Sequence, residues 1–219
     1  MLLMKVISPE VRQWDQDVAD PLDSAAKGRS PLQAALKRAA AAEAARSFDI
    51  PVCATMSFDS AGRTMMGLTP RAFAGLAEDF NLDGFGANCG VGASDLMSSV
   101  LGFADAQPTA PVIAKANCGI PHYDDGEIVY SGTVEQMAAY AQLARAAGAK
   151  IIGGCCGTKP EHVAAMREAL DENDQPDFRV LAIELALGKM SDGARQIAIG
   201  QDALKNSTRR SGGNRRRKG

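Results

Sequence analysis

The chain has 219 residues, of which 46% are hydrophobic, and its formal net charge at pH 7 is −2. This composition is typical of one globular domain and argues against a disordered or collagen-like chain. No apolar stretch approaches the ~18 residues that a membrane-spanning helix needs. Five cysteines, an odd number with two adjacent, do not form the pattern of a secreted disulfide framework. We therefore expect a cytoplasmic protein with no membrane segment.

Residues 1–43 carry no motif that indicates chemistry. Aspartates and a proline dominate the first part of this segment and predict a loop. A helix is predicted from about residue 31, because Ser30 is a favoured N-cap, Pro31 suits the first helical position and Gln33 completes a capping box. The alanine-rich continuation of this helix reflects helix propensity and not a binding motif.

From residue 51 the chain repeats a strand followed by a helix. Repeated units of this size favour an α/β fold with a parallel sheet and helices outside it. Residues 122–130 are predicted to be an excursion after the third strand, with Asp125-Gly126 as its tight turn. The predicted strands are 52–57, 82–88, 111–116 and 149–152, and the helices that follow them begin at Thr69, Ser94, Thr133 and Glu161.

After Asp171 the signals are weaker. Residues 178–187 are apolar enough for a strand or a helix, and residues 195–204 predict a helix. The tail, 209–219, holds six basic residues and no acidic one. Because no aromatic or groove-reading motif accompanies this charge, we interpret the tail as a solvated, disordered end and expect no nucleic-acid partner.

Two adjacent thiols, Cys155 and Cys156, follow the last predicted strand and precede a helix that Thr158 is expected to cap. Adjacent side chains in a regular strand point to opposite faces, but a bend here would let both sulfurs converge. Soft thiolates that converge on a point suggest Zn²⁺. Two alternatives stay open on spacing alone, since a vicinal pair is also compatible with packing or with redox chemistry.

A third thiol, Cys89, occupies the equivalent place at the end of another predicted strand. This position strengthens the metal hypothesis. Cys53 and Cys118 lie in or just after strands, where packing is the simpler interpretation. Both histidines, His122 and His162, are expected to face solvent, and neither has a Ser or Cys partner that would indicate a hydrolytic triad.

These motifs resemble the homocysteine S-methyltransferase family, and most closely its betaine–homocysteine branch. The resemblance covers residues 44–170, and its cysteine motifs are specific. The matching pieces are Gly86-Ala87-Asn88-Cys89, Gly153-Gly154-Cys155-Cys156-Gly157-Thr158, Ala54-Thr55-Met56-Ser57-Phe58, Asn117-Cys118-Gly119-Ile120-Pro121 and Lys159-Pro160-Glu161-His162.

The resemblance implies a (β/α)8 TIM barrel with its site at the C-terminal ends of the strands. It also implies that Cys89, Cys155 and Cys156 hold a zinc ion whose fourth position takes the sulfur of homocysteine. A methyl donor such as betaine or S-methylmethionine would then give methionine. Asn88 and Asn117 would lie around the ligands, with Asn88 orienting its neighbour.

About four βα units are recognisable, whereas a closed barrel needs eight, and the loop that holds the amino-acid end of homocysteine in the family has no counterpart in residues 1–43. We therefore expect a partial barrel and keep two hypotheses. The chain is either a zinc-dependent methyltransferase, or a truncated, non-catalytic zinc-binding half-barrel. Such a half-barrel would need a partner, which is a second copy or a complementing half, or it would be inactive. The expected segments are 1–43 (unmatched), 44–172 (C-terminal half of a homocysteine-binding barrel), 173–208 (partly helical) and 209–219 (basic tail).

Overall fold

The computed structural model describes residues 51–172 and 176–200. Its centre is a four-stranded parallel sheet whose strands lie side by side in chain order. A two-stranded antiparallel hairpin leaves this sheet after the third strand. The sheet strands are β1 (Cys53–Met56), β2 (Gly84–Cys89), β3 (Val112–Ala116) and β6 (Ile151–Gly154), and the hairpin strands are β4 (Pro121–Asp124) and β5 (Glu127–Tyr130).

The helices of the described part are α1 (Pro70–Asp79), α2 (Ala93–Ala104), α3 (Val134–Ala146), α4 (Pro160–Asp171), α5 (Val180–Leu187) and α6 (Asp192–Ala198). Each of the four parallel strands is followed along the chain by one of α1 to α4, so the predicted α/β class with a parallel sheet is confirmed. Within the described residues the sheet is open, with β1 and β6 at its edges. Closure into a barrel stays a prediction. The predicted helix from about residue 31 and the basic tail lie outside the described residues.

Two of the predicted helix starts form as the sequence indicates. The Thr69 hydroxyl accepts a hydrogen bond from the backbone N–H of Ala72 (3.2 Å), and Pro70 occupies the first helical position. At α3 the Thr133 hydroxyl accepts from the Gln136 backbone N–H (3.2 Å), while the Gln136 side chain accepts from the Thr133 backbone N–H (3.1 Å). These side chains satisfy N–H groups that a helix leaves without an internal partner.

The start of α4 differs from the prediction. Lys159, and not Thr158, is the N-cap residue. The backbone N–H of Lys159 donates to Nδ1 of His162 at 2.9 Å, so an imidazole takes the place of the expected glutamate in the capping arrangement. The Thr158 hydroxyl instead lies buried against Gly154 with no hydrogen-bond partner in the described part.

The core lies between the sheet and helices α1, α2 and α3, and an aromatic cluster fills the part of it next to α1 and α2. Four phenylalanines meet there with ring centroids 5.2–6.3 Å apart, most of them edge to face. Such aromatic pairs contribute more than their buried area alone. Phe85 is the member of this cluster that comes from strand β2, and its side chain has no exposed surface. The rings belong to Phe58, Phe73, Phe85 and Phe103.

The hairpin turns at Asp125 and Gly126, as predicted. Both residues have left-handed backbone angles (φ of 47° and 88°), which is the pattern of a tight two-residue hairpin turn. His122 is exposed on β4, also as predicted. Most of the side chains of the hairpin are exposed.

The segment 178–187, which the sequence leaves between strand and helix, forms helix α5. A loop then leads to α6, and this loop is tied to α2. The Asp95 carboxylate accepts hydrogen bonds from the Ser191 backbone N–H (2.8 Å) and hydroxyl (2.7 Å). None of the helices in the described part is long and apolar enough to cross a membrane.

Candidate metal centre

Three thiols meet at the C-terminal edge of the sheet. Cys89 is the last residue of β2, and Cys155 and Cys156 follow directly after β6. Their sulfur atoms all lie within 4.8 Å of one another. Because β6 ends at Gly154, the two adjacent cysteines are not in regular strand geometry, and their side chains point to one place. Among the described residues this is the one group of three or more His, Cys, Asp or Glu side chains with such convergence.

The backbone at Cys89 has an unusual conformation. Its φ is +56°, in the left-handed region that non-glycine residues seldom adopt. Gly90 follows with φ of +82°, so the chain turns sharply as soon as β2 ends. A conformation of this kind costs free energy and persists only where the surrounding structure holds it, which is common at functional sites. Here the turn brings the Cys89 sulfur to the thiols beyond β6.

Asn117 joins the two loops that carry the thiols. It follows β3, the strand between β2 and β6, and its side chain is buried. Its amide nitrogen donates to the carbonyl oxygen of Gly90 (2.9 Å), and its amide oxygen accepts from the backbone N–H of Cys156 (3.2 Å). One side chain therefore fixes the spacing between the Cys89 loop and the Cys156 loop.

Asn88, the other asparagine predicted near the site, has a different environment. It is fully buried, and its amide nitrogen donates to the hydroxyl of Ser57 at 3.4 Å. Its amide oxygen has no hydrogen-bond partner in the described part. Asn88 thus precedes a thiol in the chain but shows no bond to one. The predicted role in orienting Cys89 stays a prediction.

The Cys155 thiol holds its proton tightly when no cation is near. Burial, followed by the hydrogen bond with Cys89 and the charges of Cys89 and Cys156, raises the pKa of Cys155 to about 12. Negative charge beside a thiol disfavours its ionisation. A bound cation reverses this effect, since it stabilises the deprotonated form of every ligand.

The donor set fits a soft divalent metal. Thiolates at ~2.3 Å from a tetrahedral zinc ion lie ~3.8 Å from one another. The Cys89–Cys156 and Cys155–Cys156 sulfur separations are 3.9 and 4.0 Å, while Cys89 and Cys155 are closer at 2.8 Å. Cys156 is exposed, so one side of the site is open to a further ligand. Three protein ligands with an open position are typical of catalytic zinc sites.

The prediction that His162 faces solvent is wrong. The side chain is 7% exposed, and Nε2 lies 3.3 Å from the Cys118 sulfur. Nδ1 accepts from the backbone N–H of Lys159, so in the neutral ring Nε2 carries the proton and donates it to Cys118. The first turn of a helix can face either way, and sequence spacing alone does not show the packing of α4 that buries this ring.

Cys118 is buried, as the sequence predicts, and Cys53 is half-buried. Cys53 begins β1 and pairs with Gly84 at the start of β2, so it lies at the opposite edge of the sheet from the three thiols. The acidic residues of the hairpin, Asp124, Asp125 and Glu127, are exposed and do not join the metal group. Sequence reasoning also missed Tyr130, whose ring packs on Gly157 beside the thiols.

The described structure thus combines a parallel α/β sheet with three thiols that converge at its C-terminal edge. The chain belongs to the homocysteine S-methyltransferase family, because the family profile matches residues 31–170, more than half of its length. The resemblance seen in the sequence motifs is thereby confirmed.

Methionine synthase from Mycobacterium tuberculosis is 28% identical to this chain over 132 residues, which are 60% of this chain and 11% of that protein. Methionine synthase from Mycobacterium leprae is 29% identical over 122 residues, 55% of this chain and 10% of that protein. The chain thus spans about a tenth of the length of these two relatives.

Solved structures of the homocysteine methyltransferase MmuM from Escherichia coli are also similar. The oxidised form is 22% identical with a TM-score of 0.48, over 60% of this chain and 41% of that one. The metallated form is 21% identical with a TM-score of 0.48, over 60% of this chain and 40% of that one.

Proposed function

We propose that Cys89, Cys155 and Cys156 form the zinc site of a homocysteine S-methyltransferase. The observation that carries this proposal is the convergence of three thiols within 4.8 Å at the C-terminal edge of a parallel sheet. Membership of the family supplies the substrate class. Free thiols at all five cysteines suit a reducing compartment, so we also propose that the protein acts in the cytoplasm.

Each residue of the site has a definite task in this proposal. The three cysteines supply soft ligands and leave one side of the site open at Cys156. Zinc bound to three thiolates lowers the pKa of a further thiol and so makes a sulfur nucleophile available at neutral pH. Asn117 keeps the ligand loops at a fixed spacing, and Asn88 lies buried under the site.

The proposed reaction transfers a methyl group to the sulfur of homocysteine. The sulfur forms a bond to the methyl carbon, and the bond between that carbon and the donor breaks, with its electron pair staying on the donor. The positively charged onium centre of a donor such as betaine or S-methylmethionine thereby becomes a neutral amine or thioether. The product is methionine. Placing the sulfur in line with the methyl carbon supplies much of the rate enhancement.

Metal analysis tests the site directly. Freshly reduced wild-type protein is expected to hold about one zinc per chain. Cys155→Ser and Cys156→Ser should each lose most of it. Cys53→Ser is the matched control, because Cys53 lies at the other edge of the sheet, and it should keep the metal. Zinc-free wild-type protein would contradict the proposal.

A second candidate is favoured by the open sheet. Within the described residues β6 pairs only with β3, and its residues are exposed or half-buried. Parallel strands are normally covered on both faces and paired at both edges. We therefore propose, as the alternative, a zinc-binding half-barrel that is completed by a second copy of the chain or by a complementing half and is inactive alone.

Methionine formation from homocysteine separates the two candidates. Zinc-loaded protein is assayed with betaine and with S-methylmethionine, with and without a second polypeptide that supplies the remaining strands of a family barrel. Turnover by the chain alone supports the first candidate. Turnover only after addition of the second polypeptide supports the complemented half-barrel. The alternative predicts little activity from the chain alone, because residues 1–43 offer no counterpart of the loop that holds homocysteine in the family, and misplacement of a substrate by ~1 Å costs about 100-fold in rate.

A further inference from the structure

We propose that Tyr130 is a positioning residue of the thiol site. Its ring packs on Gly157 and holds the turn that presents the Cys156 thiol. The proposal deepens the proposed function, because it concerns the same metal site. Tyr130 comes from the end of β5, outside the sheet that carries the thiols.

The ring of Tyr130 lies directly on Gly157. A Cβ atom added to Gly157 would lie 2.6 Å from both Cβ and Cδ2 of Tyr130, and nearer still to Cγ. Real Cβ atoms do not approach other atoms so closely, so only glycine admits the ring here. Gly157 also has a φ of +75°, which favours glycine for a second reason. Gly157 follows Cys156, so the ring covers the turn that presents this thiol.

The contact is held from both sides by Cys118. The carbonyl oxygen of Cys118 accepts from the backbone N–H of Gly132, two residues after Tyr130, at 3.0 Å. The backbone N–H of Cys118 donates to the carbonyl oxygen of Cys156, also at 3.0 Å. The exit of the hairpin and the thiol loop are therefore bonded to one residue, and their separation is fixed. These bonds keep the Tyr130 ring at a constant distance from the thiol loop.

A ring that only fills space makes a different prediction. Loss of such a ring would lower stability but leave the thiol loop of the folded protein unchanged. If the ring holds the turn, Tyr130→Ala weakens metal binding, whereas Tyr130→Phe, which keeps the ring, does not. Tyr123→Ala is the matched control, because Tyr123 is on the same hairpin, 77% exposed and directly opposite Ile128 on the partner strand.

The test uses the full chain with Co²⁺ or Zn²⁺ as the probe. Tyr130→Ala is expected to bind either ion about 100-fold more weakly than wild type. Tyr130→Phe and Tyr123→Ala should bind both ions as wild type does. Equal affinity for Tyr130→Ala and wild type would overturn the positioning role.

A second pair of variants tests the ring contact. Gly157→Ala displaces the ring and should resemble Tyr130→Ala, with metal affinity about 100-fold below wild type. Gly126→Ala is its control, because Gly126 has a φ of +88° in the same hairpin but no atom within 4 Å of an added Cβ. If Gly157→Ala binds metal as Gly126→Ala does, the ring does not hold the turn.

A metal-free readout keeps this proposal separate from the proposed function. The rate at which iodoacetamide alkylates Cys156 is measured by mass spectrometry in metal-free protein. Tyr130→Ala and Gly157→Ala should both accelerate it at least several-fold over wild type. If wild type binds neither Zn²⁺ nor Co²⁺, the metal site fails, and this rate still decides whether Tyr130 positions Cys156. Unchanged alkylation in both variants would refute the positioning role.

Discussion

Two strands carry the thiols, and they differ in how firmly they are held. Strand β2 lies between β1 and β3, and its first five residues are buried. Strand β6 lies at an edge of the described sheet, and its residues are exposed or half-buried. The site is therefore built from a rigid half, which presents Cys89, and an edge half, which presents Cys155 and Cys156. A metal ion bound by thiols of both halves would hold the edge half against the rigid half.

The largest difference between the two halves is expected in stability. Phe85→Ala on β2 removes a fully buried ring that contacts Phe73 and Phe103, and it should lower the free energy of unfolding by about 3–5 kcal/mol. Ile151→Ala on β6, where the side chain is 47% exposed, should cost only about 1 kcal/mol. Urea denaturation of both variants measures this. Equal losses would show that β6 is as well packed as β2.

Removal of the metal is expected to have the next largest effect. A ligand present at about 100 times its Kd stabilises the folded state by about 2.7 kcal/mol, so a chelator should lower the unfolding temperature by the corresponding amount. Amide hydrogen exchange locates the loss. Protection should fall in β6 and at the start of α4 and change little in β2, because β2 is held by its own packing. Uniform loss of protection would contradict the division into two halves.

Asn117 is expected to couple the halves. Asn117→Ala removes both bonds between the thiol loops and should weaken metal binding about 10- to 100-fold. Asn88→Ala is the comparison, because Asn88 is equally buried but makes one long hydrogen bond and none to a thiol loop. Its effect on the metal Kd should be smaller. Competition with a chromogenic chelator measures the metal Kd of both variants. If Asn88→Ala weakens binding more than Asn117→Ala does, Asn88 and not Asn117 is the residue that orients the thiols.

The smallest effect concerns helix starts on the β6 side. Thr133→Ala removes the side-chain cap of α3 and should cost about 1 kcal/mol. Thr158→Ala should cost much less, because its hydroxyl has no partner in the described part and Lys159 is the N-cap of α4. Thermal unfolding of the two variants compares them. If Thr158→Ala loses more stability than Thr133→Ala does, Thr158 caps helix α4, as the sequence predicts.

Local signals predicted much of this fold. Thr69 with Pro70, Thr133 with Gln136 and Asp125 with Gly126 each act over two to four residues, so the sequence itself contains their geometry. Alternating strands and helices then fix the parallel sheet, and the sheet places residues after β2 and after β6 at one edge. The convergence of Cys89 with Cys155 and Cys156 could be expected on this basis.

Long-range contacts could not be predicted in this way. The two bonds of Asn117 reach residues 27 and 39 positions away, and the pair of Cys118 and His162 is separated by 44 positions. Their formation depends on how α4 and the hairpin pack on the sheet. Tyr130 gave no signal, because a tyrosine at the end of an exposed hairpin is common. The left-handed angle of Cys89 is likewise imposed by its surroundings.

The order of the strands also has a consequence for the synthesis of the protein. Cys89 and Cys155 are 66 residues apart, and β3 with Asn117 lies between their strands. At about 5–20 residues per second, Cys89 leaves the ribosome roughly 3 to 13 s before Cys155. Throughout that interval the Cys89 thiol at the end of β2 lacks its two proposed partners, Cys155 and Cys156. An ion that needs all three proposed ligands could therefore bind only after residue 156 has been synthesised, which would make metal loading a late event for each new chain.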